Sequence, residues 1–317
     1  MIETNFTLSG PFAERMRLIR KKVAETGRVF RRNRMGMLGL AILIVFAAMA
    51  AFPAQIMWVF STIGGWDYPY GPHDEVASYG TGTDPSWENW LGTDSRGNDV
   101  LARLIYGARI SLMIGTLAAA VSMALGSIVG LLSGFWGGWR DEVLMRVTDV
   151  FLVLPWLVLM IVFVAVLPGG PSVIKIVIVI GITGWAGTAR IVRTQVLSVK
   201  KRAFVERAKS VGAGEFHIIR KHIFPNVFPL IFANAILTVA LAILSESALS
   251  FLGMGAPATV DVTWGNMLED ALNADAMYNG FYLWVIMPGL CIVFLVMGFT
   301  FIGYALDEIF NPRLRKR

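Results

Sequence analysis

Few residues in this sequence are suited to chemistry. The three histidines are His73, His217 and His222, and the single cysteine is Cys291. His217 and His222 lie five positions apart on a predicted helical segment, with no carboxylate placed to complete a metal shell. One cysteine excludes an intrachain disulfide and a cysteine metal cluster. We therefore expect no metal site and no cofactor in this chain.

Serine, histidine and aspartate all occur, but not in a catalytic arrangement. The sequence contains no nucleophile elbow, no HExxH zinc motif and no GxxxxGK[ST] phosphate loop. It therefore predicts no catalytic residue, and it argues against an intramembrane enzyme and against ATP hydrolysis by this chain itself.

The elements that must position any site are membrane helices. Of the 317 residues, 56% are hydrophobic and 16% are charged, and the mean hydropathy is +0.62. Runs of about 20 apolar residues, each long enough to cross a bilayer as a helix, predict six transmembrane helices. The runs begin near Gly36, Ile110, Leu144, Val173, Val227 and Phe281. Because they do not alternate in short strands, we expect an all-α membrane protein.

The distribution of basic residues predicts the orientation. Of 28 lysines and arginines, about 24 fall on one side of the six predicted spans. The exceptions are Arg96, Arg103, Arg109 and Lys175. By the positive-inside tendency, both termini should lie in the cytoplasm of a multi-pass plasma-membrane protein in contact with the lipid bilayer. The net charge of +6 is then topological and does not indicate nucleic acid.

The chain is expected to divide into five parts. The first apolar run is longer than the core of a cleaved signal peptide, so we interpret it as a retained anchor. The basic arm before it is suited equally to an interfacial helix and to a plain topology signal. The predicted parts are a basic arm (1–35), a first transmembrane helix (36–58), an extracytoplasmic loop (59–104), a core domain (105–306) with a cytoplasmic loop at about 198–225, and a basic tail (307–317).

Small residues and prolines indicate how the spans should pack. The second span has a small residue at every fourth position: Ala118, Ser122, Gly126, Gly130 and Gly134. Such a stripe lets another helix backbone come close, so Gly126, Gly130 and Gly134 are expected to be packing residues. Prolines lie in three other spans: Pro155, Pro229 and Pro288. Each removes a helical hydrogen bond and predicts a kink.

The segment from Phe204 to Pro225 predicts a helix, a turn and a second helix outside the membrane. Gly212 and Gly214 should break the first helix, and Pro225 should stop the second before the fifth span. The apolar positions expected on the two helices are Phe204, Ala208 and Val211, then Phe216, Ile219 and Ile223. This amphipathic element suits docking to a cytoplasmic partner or folding against its own chain, and the periodicity leaves both open.

Four residues of this segment carry a family resemblance. Glu206, Ala208, Gly212 and Pro225 match the spacing of the cytoplasmic EAA loop in permease subunits of binding-protein-dependent ABC importers. Arg207 stands where that motif usually has its second alanine. A further departure is that His222 and Phe224 replace isoleucine and leucine. The form of the motif with a histidine resembles that of the peptide/nickel branch.

Other segments resemble the same branch, so the resemblance covers about the last two thirds of the chain. They are residues 91–103, 106–112, 134–142, 245–253 and 311–315. The resemblance implies a type I ABC importer permease (MetI-like) fold. It also implies a second homologous permease subunit, two ATP-binding subunits that hold ATP and Mg, and an extracytoplasmic solute-binding protein.

The resemblance also implies residue roles. The residues expected to couple to the ATPases are Glu206, Arg207, Ala208, Gly212, Gly214 and Pro225.

Glu246 and Asn234, in the fifth span, are expected either to face the translocation path or to make structural hydrogen bonds. Asp149 is expected to pair with a neighbour such as Arg146.

The cargo expected from the resemblance is a dipeptide or oligopeptide. Nickel and oligosaccharides are alternatives within the same architecture. The sequence favours two other classes of protein less. An ion-coupled secondary transporter would need ionisable residues near the bilayer midplane, and a channel would leave residues 204–225 without a partner.

Overall fold

The computed structural model describes residues 21, 27–65, 70–75, 82–257 and 259–310. Most of the predicted basic arm and most of the tail lie outside these residues. The helices from residue 34 onward are α1 (Arg34–Ala51), α2 (Pro53–Gly64), α3 (Val100–Trp136), α4 (Gly138–Val153), α5 (Trp156–Val166), α6 (Val173–Lys200), α7 (Ala203–Ser210), α8 (Glu215–Ile218), α9 (Phe224–Leu249), α10 (Trp264–Asn273) and α11 (Tyr282–Phe310). Two π-helical turns flank α9, at Ile219–Ile223 and Ser250–Met254.

Long apolar helices dominate the fold, as predicted. Among the described residues, five helices are long and apolar enough to cross a membrane: Arg34–Ala51, Val100–Trp136, Val173–Lys200, Glu215–Met254 and Tyr282–Ile309. The pair α4 and α5 meets the same criterion together, but it is bent by 98°. Counting the pair as one broken span gives the six spans expected from the apolar runs.

The bend in the third span lies at Pro155. Leu154 has extended backbone angles (φ −71°, ψ 136°), as a residue before proline prefers. Pro155 has no N–H to continue the ladder, so α4 ends at Val153 and α5 begins at Trp156. By contrast, Pro229 lies inside α9 and Pro288 inside α11. Only the first of the three prolines therefore divides its helix.

The centre of the bundle is the parallel pair of α3 and α6, which share the most extensive helix contact. The glycine stripe of α3 lies against the α6 backbone. A Cβ atom on Gly130 would be 2.5 Å from the carbonyl oxygen of Ala189, and one on Gly126 would be 2.6 Å from that of Trp185. At Gly134 it would meet Val196 at 2.8 Å. Glycine is thus required for this close approach.

The amino-terminal helix α1 packs on the last helix, α11. A Cβ atom on Gly39 would be 2.7 Å from the carbonyl oxygen of Gly298, so the two backbones nearly touch. Helix α1 ends at Ala51 and Pro53 begins α2, so the apolar stretch at 36–58 is divided into two helices at Phe52.

Candidate functional sites

A cavity of about 570 Å³ lies between α3, the α4–α5 bend, α6 and α9. Its lining comes from the middle of the three long helices: residues 118–122 of α3, 180–191 of α6 and 234–242 of α9. The cavity therefore lies near mid-depth in the bundle. Val153, at the bend, is 81% exposed, so the cavity opens to the surface of this chain on that side.

Uncharged polar side chains gather in this cavity. The Asn234 amide donates to the Thr188 hydroxyl at 3.1 Å, and the Trp156 indole donates to the Thr183 hydroxyl at 3.1 Å. Ser122 is buried, and its hydroxyl has no hydrogen-bond partner among the described groups. Asn234, predicted to be a path or structural residue, thus lies on a mid-membrane polar surface.

Glu246 lies elsewhere, toward the other end of α9. It is fully buried and does not line the cavity. Its carboxylate accepts a hydrogen bond from the Ser250 hydroxyl at 2.9 Å and lies 3.4 Å from the Ser247 hydroxyl, which donates to the Ile243 carbonyl at 3.0 Å. These contacts are those of a structural polar group that joins α9 to the π turn after it.

The helix α7 ends in a complete Schellman motif. The Gly212 N–H donates to the Lys209 carbonyl at 2.9 Å, and the Ala213 N–H donates to the Ala208 carbonyl at 3.0 Å. Gly212 has φ +78°, a conformation that favours glycine. Gly214, the residue before α8, has an ordinary φ of −63°. The predicted break between the two short helices is confirmed.

The predicted stop at Pro225 is wrong. Glu215–Met254 is one span of 40 residues, helical as far as Leu252, and it contains Pro225 near the start of α9. The π turn explains this, because the Phe224 N–H donates to the carbonyl of Ile219, five residues back. Pro225 then follows in the first turn of α9, where its missing N–H is tolerated.

The predicted apolar faces of α7 and α8 divide differently from expectation. Val205, Ile218 and Ile223 are buried against the bundle. Val211 is 83% exposed and Phe216 is 75% exposed, although Phe216 was expected to share a stripe with Ile223. The exposed residues among the predicted coupling positions are Glu206, Arg207, Gly212, Gly214 and Pro225, and Ala208 is half-buried.

The predicted Asp149–Arg146 pair is wrong. Asp149 accepts from the Arg190 guanidinium at 2.5 Å, because α4 packs along α6. Arg146 instead lies 3.9 Å from Glu142, one turn back on its own helix, and both side chains are exposed. The partner of Asp149 is thus a residue of the packed helix α6, and not a residue close to it in sequence.

Sequence reasoning missed a buried ionic cluster at the amino-terminal end of α3. Arg103 is buried and pairs with Asp94 and, at 2.9 Å, with Asp270 of α10. Arg96 makes a bidentate contact with Asp270 at 2.7 and 2.9 Å. Beside it, burial raises the pKa of Asp99, which caps α3. Arginine at the edge of an apolar run was the available signal, since a buried guanidinium needs carboxylate partners.

The two histidines of the 204–225 segment form no metal site. The rings of His217 and His222 are 6.0 Å apart between centroids. Among the residues that the structure describes, no group of three or more histidine, cysteine, aspartate or glutamate side chains could hold a metal ion.

A bundle of long apolar helices around a mid-depth cavity, with the short helix α7 between two of the spans, defines a polytopic membrane protein. The family of binding-protein-dependent transport system inner membrane components matches residues 126–316. The N-terminal transmembrane domain of oligopeptide transport permease C matches residues 21–81. The chain belongs to this family of inner membrane components, and it is a permease subunit of an ABC importer.

Named relatives agree with this assignment. The chain is 37% identical over 291 residues to the oligopeptide transport system permease protein OppC of Bacillus subtilis, covering 90% of this chain and 88% of the relative. It is 36% identical to the dipeptide transport system permease protein DppC of the same organism, over 91% and 85% of the two chains. The permease is not itself the ATPase, which is a separate subunit.

The fold also matches a solved structure. A chain of the MetNI methionine ABC transporter, determined in inward-facing conformations, superposes with a TM-score of 0.53 at 17% identity. The match covers 68% of this chain and 97% of that one. The predicted MetI-like fold is therefore confirmed.

Proposed function

We propose that this chain forms half of the translocation path of an ATP-driven importer of dipeptides or oligopeptides. Its partners would be a second homologous permease, two ATP-binding subunits and an extracytoplasmic solute-binding protein. The peptide cargo is supported by the names of the relatives, which are oligopeptide and dipeptide permeases. ATP and Mg would bind in the partner subunits.

The observation that carries the coupling part of this proposal is the exposure of apolar side chains around the Schellman turn. Val211 and Phe216 present apolar surface on a short, polar helical pair that is anchored to the bundle through Val205 and Ile218. Exposed apolar residues on a rigid element are typical of a protein interface. The predicted coupling residues, including Glu206 and Arg207, would surround this surface.

Orientation follows from the basic residues. The 204–225 segment and both ends of the chain are rich in lysine and arginine, so they would face the cytoplasm. The loop before α3, with α10, would then face the outside. This arrangement puts the exposed Val211 and Phe216 on the side where ATP is available.

The test is co-purification of the ATP-binding subunits with this chain. The complex would be co-expressed from neighbouring genes with Phe216→Asp or Val211→Asp. Tyr278→Asp is the matched control, because Tyr278 is 92% exposed at the opposite end of the bundle. We expect the first two variants to co-purify with about a tenth or less of the ATP-binding subunits that the unmodified chain binds, because each charge would lie at the centre of the interface. The control should bind them fully. Equal amounts of co-purified ATP-binding subunits in the three variants would exclude the proposed docking surface.

A further inference from the structure

The break in the third span places the start of helix α5, with its free backbone N–H groups, beside the cavity. Leu154, Pro155 and Trp156, which form the break and the start of α5, all line the cavity. Helix α5 has 11 residues and no side-chain cap at its amino-terminal end. The N–H groups of a first helical turn project beyond that end and carry partial positive charge. The first of these N–H groups belongs to Trp156, which lines the cavity.

A second, independent feature lies in the same cavity. Ser122 is 1% exposed and its hydroxyl has no partner among the described groups. A Cβ atom built on Gly184 would lie 3.2 Å from this hydroxyl and 3.3 Å from the Trp156 ring. Gly184 thus lies between the unpartnered hydroxyl and the ring of Trp156, the first residue of α5. A buried hydroxyl without a partner costs free energy unless a ligand satisfies it.

The cavity lining presents no negative charge that would repel an anion. None of the described lining residues is charged. The charged residues that flank the lining in sequence, Asp149 and Arg190, pair with each other at 2.5 Å. The polar groups that remain are hydroxyls, an amide and the helix end. At mid-membrane depth the partial charge at a helix end is weakly screened, so it should favour a carboxylate.

We propose that the start of α5 and the Ser122 hydroxyl bind the carboxylate of a peptide at the middle of the membrane. This inference rests on the proposed peptide cargo and adds the group of the peptide that the permease recognises. The ligand class is a free α-carboxylate, held by neutral donors without a permanent positive charge. Such weak holding suits a path from which the cargo must leave again.

Gly187 offers a sharp test. It lines the cavity, and a Cβ atom there would have nothing within 4 Å. Gly187→Asp and Gly187→Asn add side chains of nearly equal size into this open space and differ in charge. The complete complex, with its binding protein, would be reconstituted in liposomes. Uptake of trialanine and of trialanine C-terminal amide would then be compared.

We expect Gly187→Asp to lower trialanine uptake about tenfold relative to Gly187→Asn, with little difference for the amide. Ser122→Ala is the second variant, since it removes only the hydroxyl. It should lower uptake of the free acid about tenfold and leave uptake of the amide nearly unchanged. Any preference of the binding protein cancels because the same protein serves every variant.

Three results would overturn the inference. The first is an equal loss of acid and amide uptake in Ser122→Ala together with identical behaviour of the Asp and Asn variants. The second is weaker assembly of the Asp variant with its partner subunits. This result would indicate that a carboxylate of a partner subunit, and not that of a peptide, occupies the cavity. The third is failure of the wild-type complex to import either peptide, which would remove the proposed function itself. If the Asp variant does not fold, Ser122→Ala decides alone.

Discussion

Arg103 and Asp270 are joined by a hydrogen bond of 2.9 Å, although 167 residues separate them in sequence. This bond ties the beginning of α3 to the separate helix α10. Arg103 also holds Asp94 in the loop before α3, so one buried guanidinium fixes three segments at the same end of the bundle. That end would face the solute-binding protein under the proposed orientation.

Asp270→Ala is expected to destabilise the protein by about 3 kcal/mol, because it leaves the buried Arg103 with one carboxylate fewer. Thermal unfolding of the detergent-purified complex measures this. The control is Glu142→Gln, which removes an exposed pair with Arg146 and should change stability by less than about 0.5 kcal/mol. Similar melting of the two variants would contradict a structural role for the cluster.

Gly130→Ala should lower stability by about 1 to 3 kcal/mol, since its Cβ atom would lie 2.5 Å from the Ala189 carbonyl oxygen and force α3 from α6. The matched control is Gly289→Ala in α11, where a Cβ atom meets nothing within 4 Å. Because alanine is the better helix former, the control should be unchanged or slightly more stable. The assay is thermal unfolding, and a stable Gly130→Ala protein would rule out a tight α3–α6 contact.

Gly212→Ala is predicted to strain the Schellman turn by about 1 kcal/mol, because alanine disfavours φ +78°. Gly214→Ala has equal open space around it and an ordinary φ, so its backbone should accept alanine. The ratio of peptide imported to ATP hydrolysed should fall about fivefold in the first variant only. If Gly214→Ala lowers the ratio as much, the backbone strain at Gly212 is not the cause.

Glu246→Ala is expected to cost about 1 to 3 kcal/mol, as it leaves the buried Ser250 hydroxyl without its acceptor. Glu246→Gln retains a carbonyl oxygen and should keep most of the stability and of the peptide uptake. Both are measured on the reconstituted complex. Loss of uptake in a Glu246→Gln protein of normal stability would instead indicate a role in the path.

The helices could be predicted from the sequence because their signals are local. Runs of about 20 apolar residues are enough to indicate a span, and Gly212 is enough to end α7. The outcome at the prolines was not predictable in the same way. Pro155 divides its helix whereas Pro225 does not. The helix continues through Pro225 because the Phe224 N–H bonds to the Ile219 carbonyl in a π turn, which the sequence pattern does not predict.

The sites were harder to predict because they are assembled by packing. The choice of Arg190 over Arg146 as the partner of Asp149 depends on how α4 lies against α6. The Arg103 cluster depends on α10, which sequence reasoning did not find. Asn234 was named as a polar residue of interest, but its neighbour Thr188 lies 46 positions away. Such long-range pairs follow only from the tertiary fold.

The span from Glu215 to Met254, which stays helical as far as Leu252, has a mechanical consequence. At 40 residues it is about 60 Å long, roughly twice the thickness of the hydrocarbon layer. A rod of that length acts as a lever when it tilts as one body: a tilt of about 10° displaces one end by about 10 Å relative to the other. Phe216, Asn234 and Glu246 all lie on this rod. A push at the ATPase end would therefore reach the cavity and the far end without passing through a hinge at Pro225.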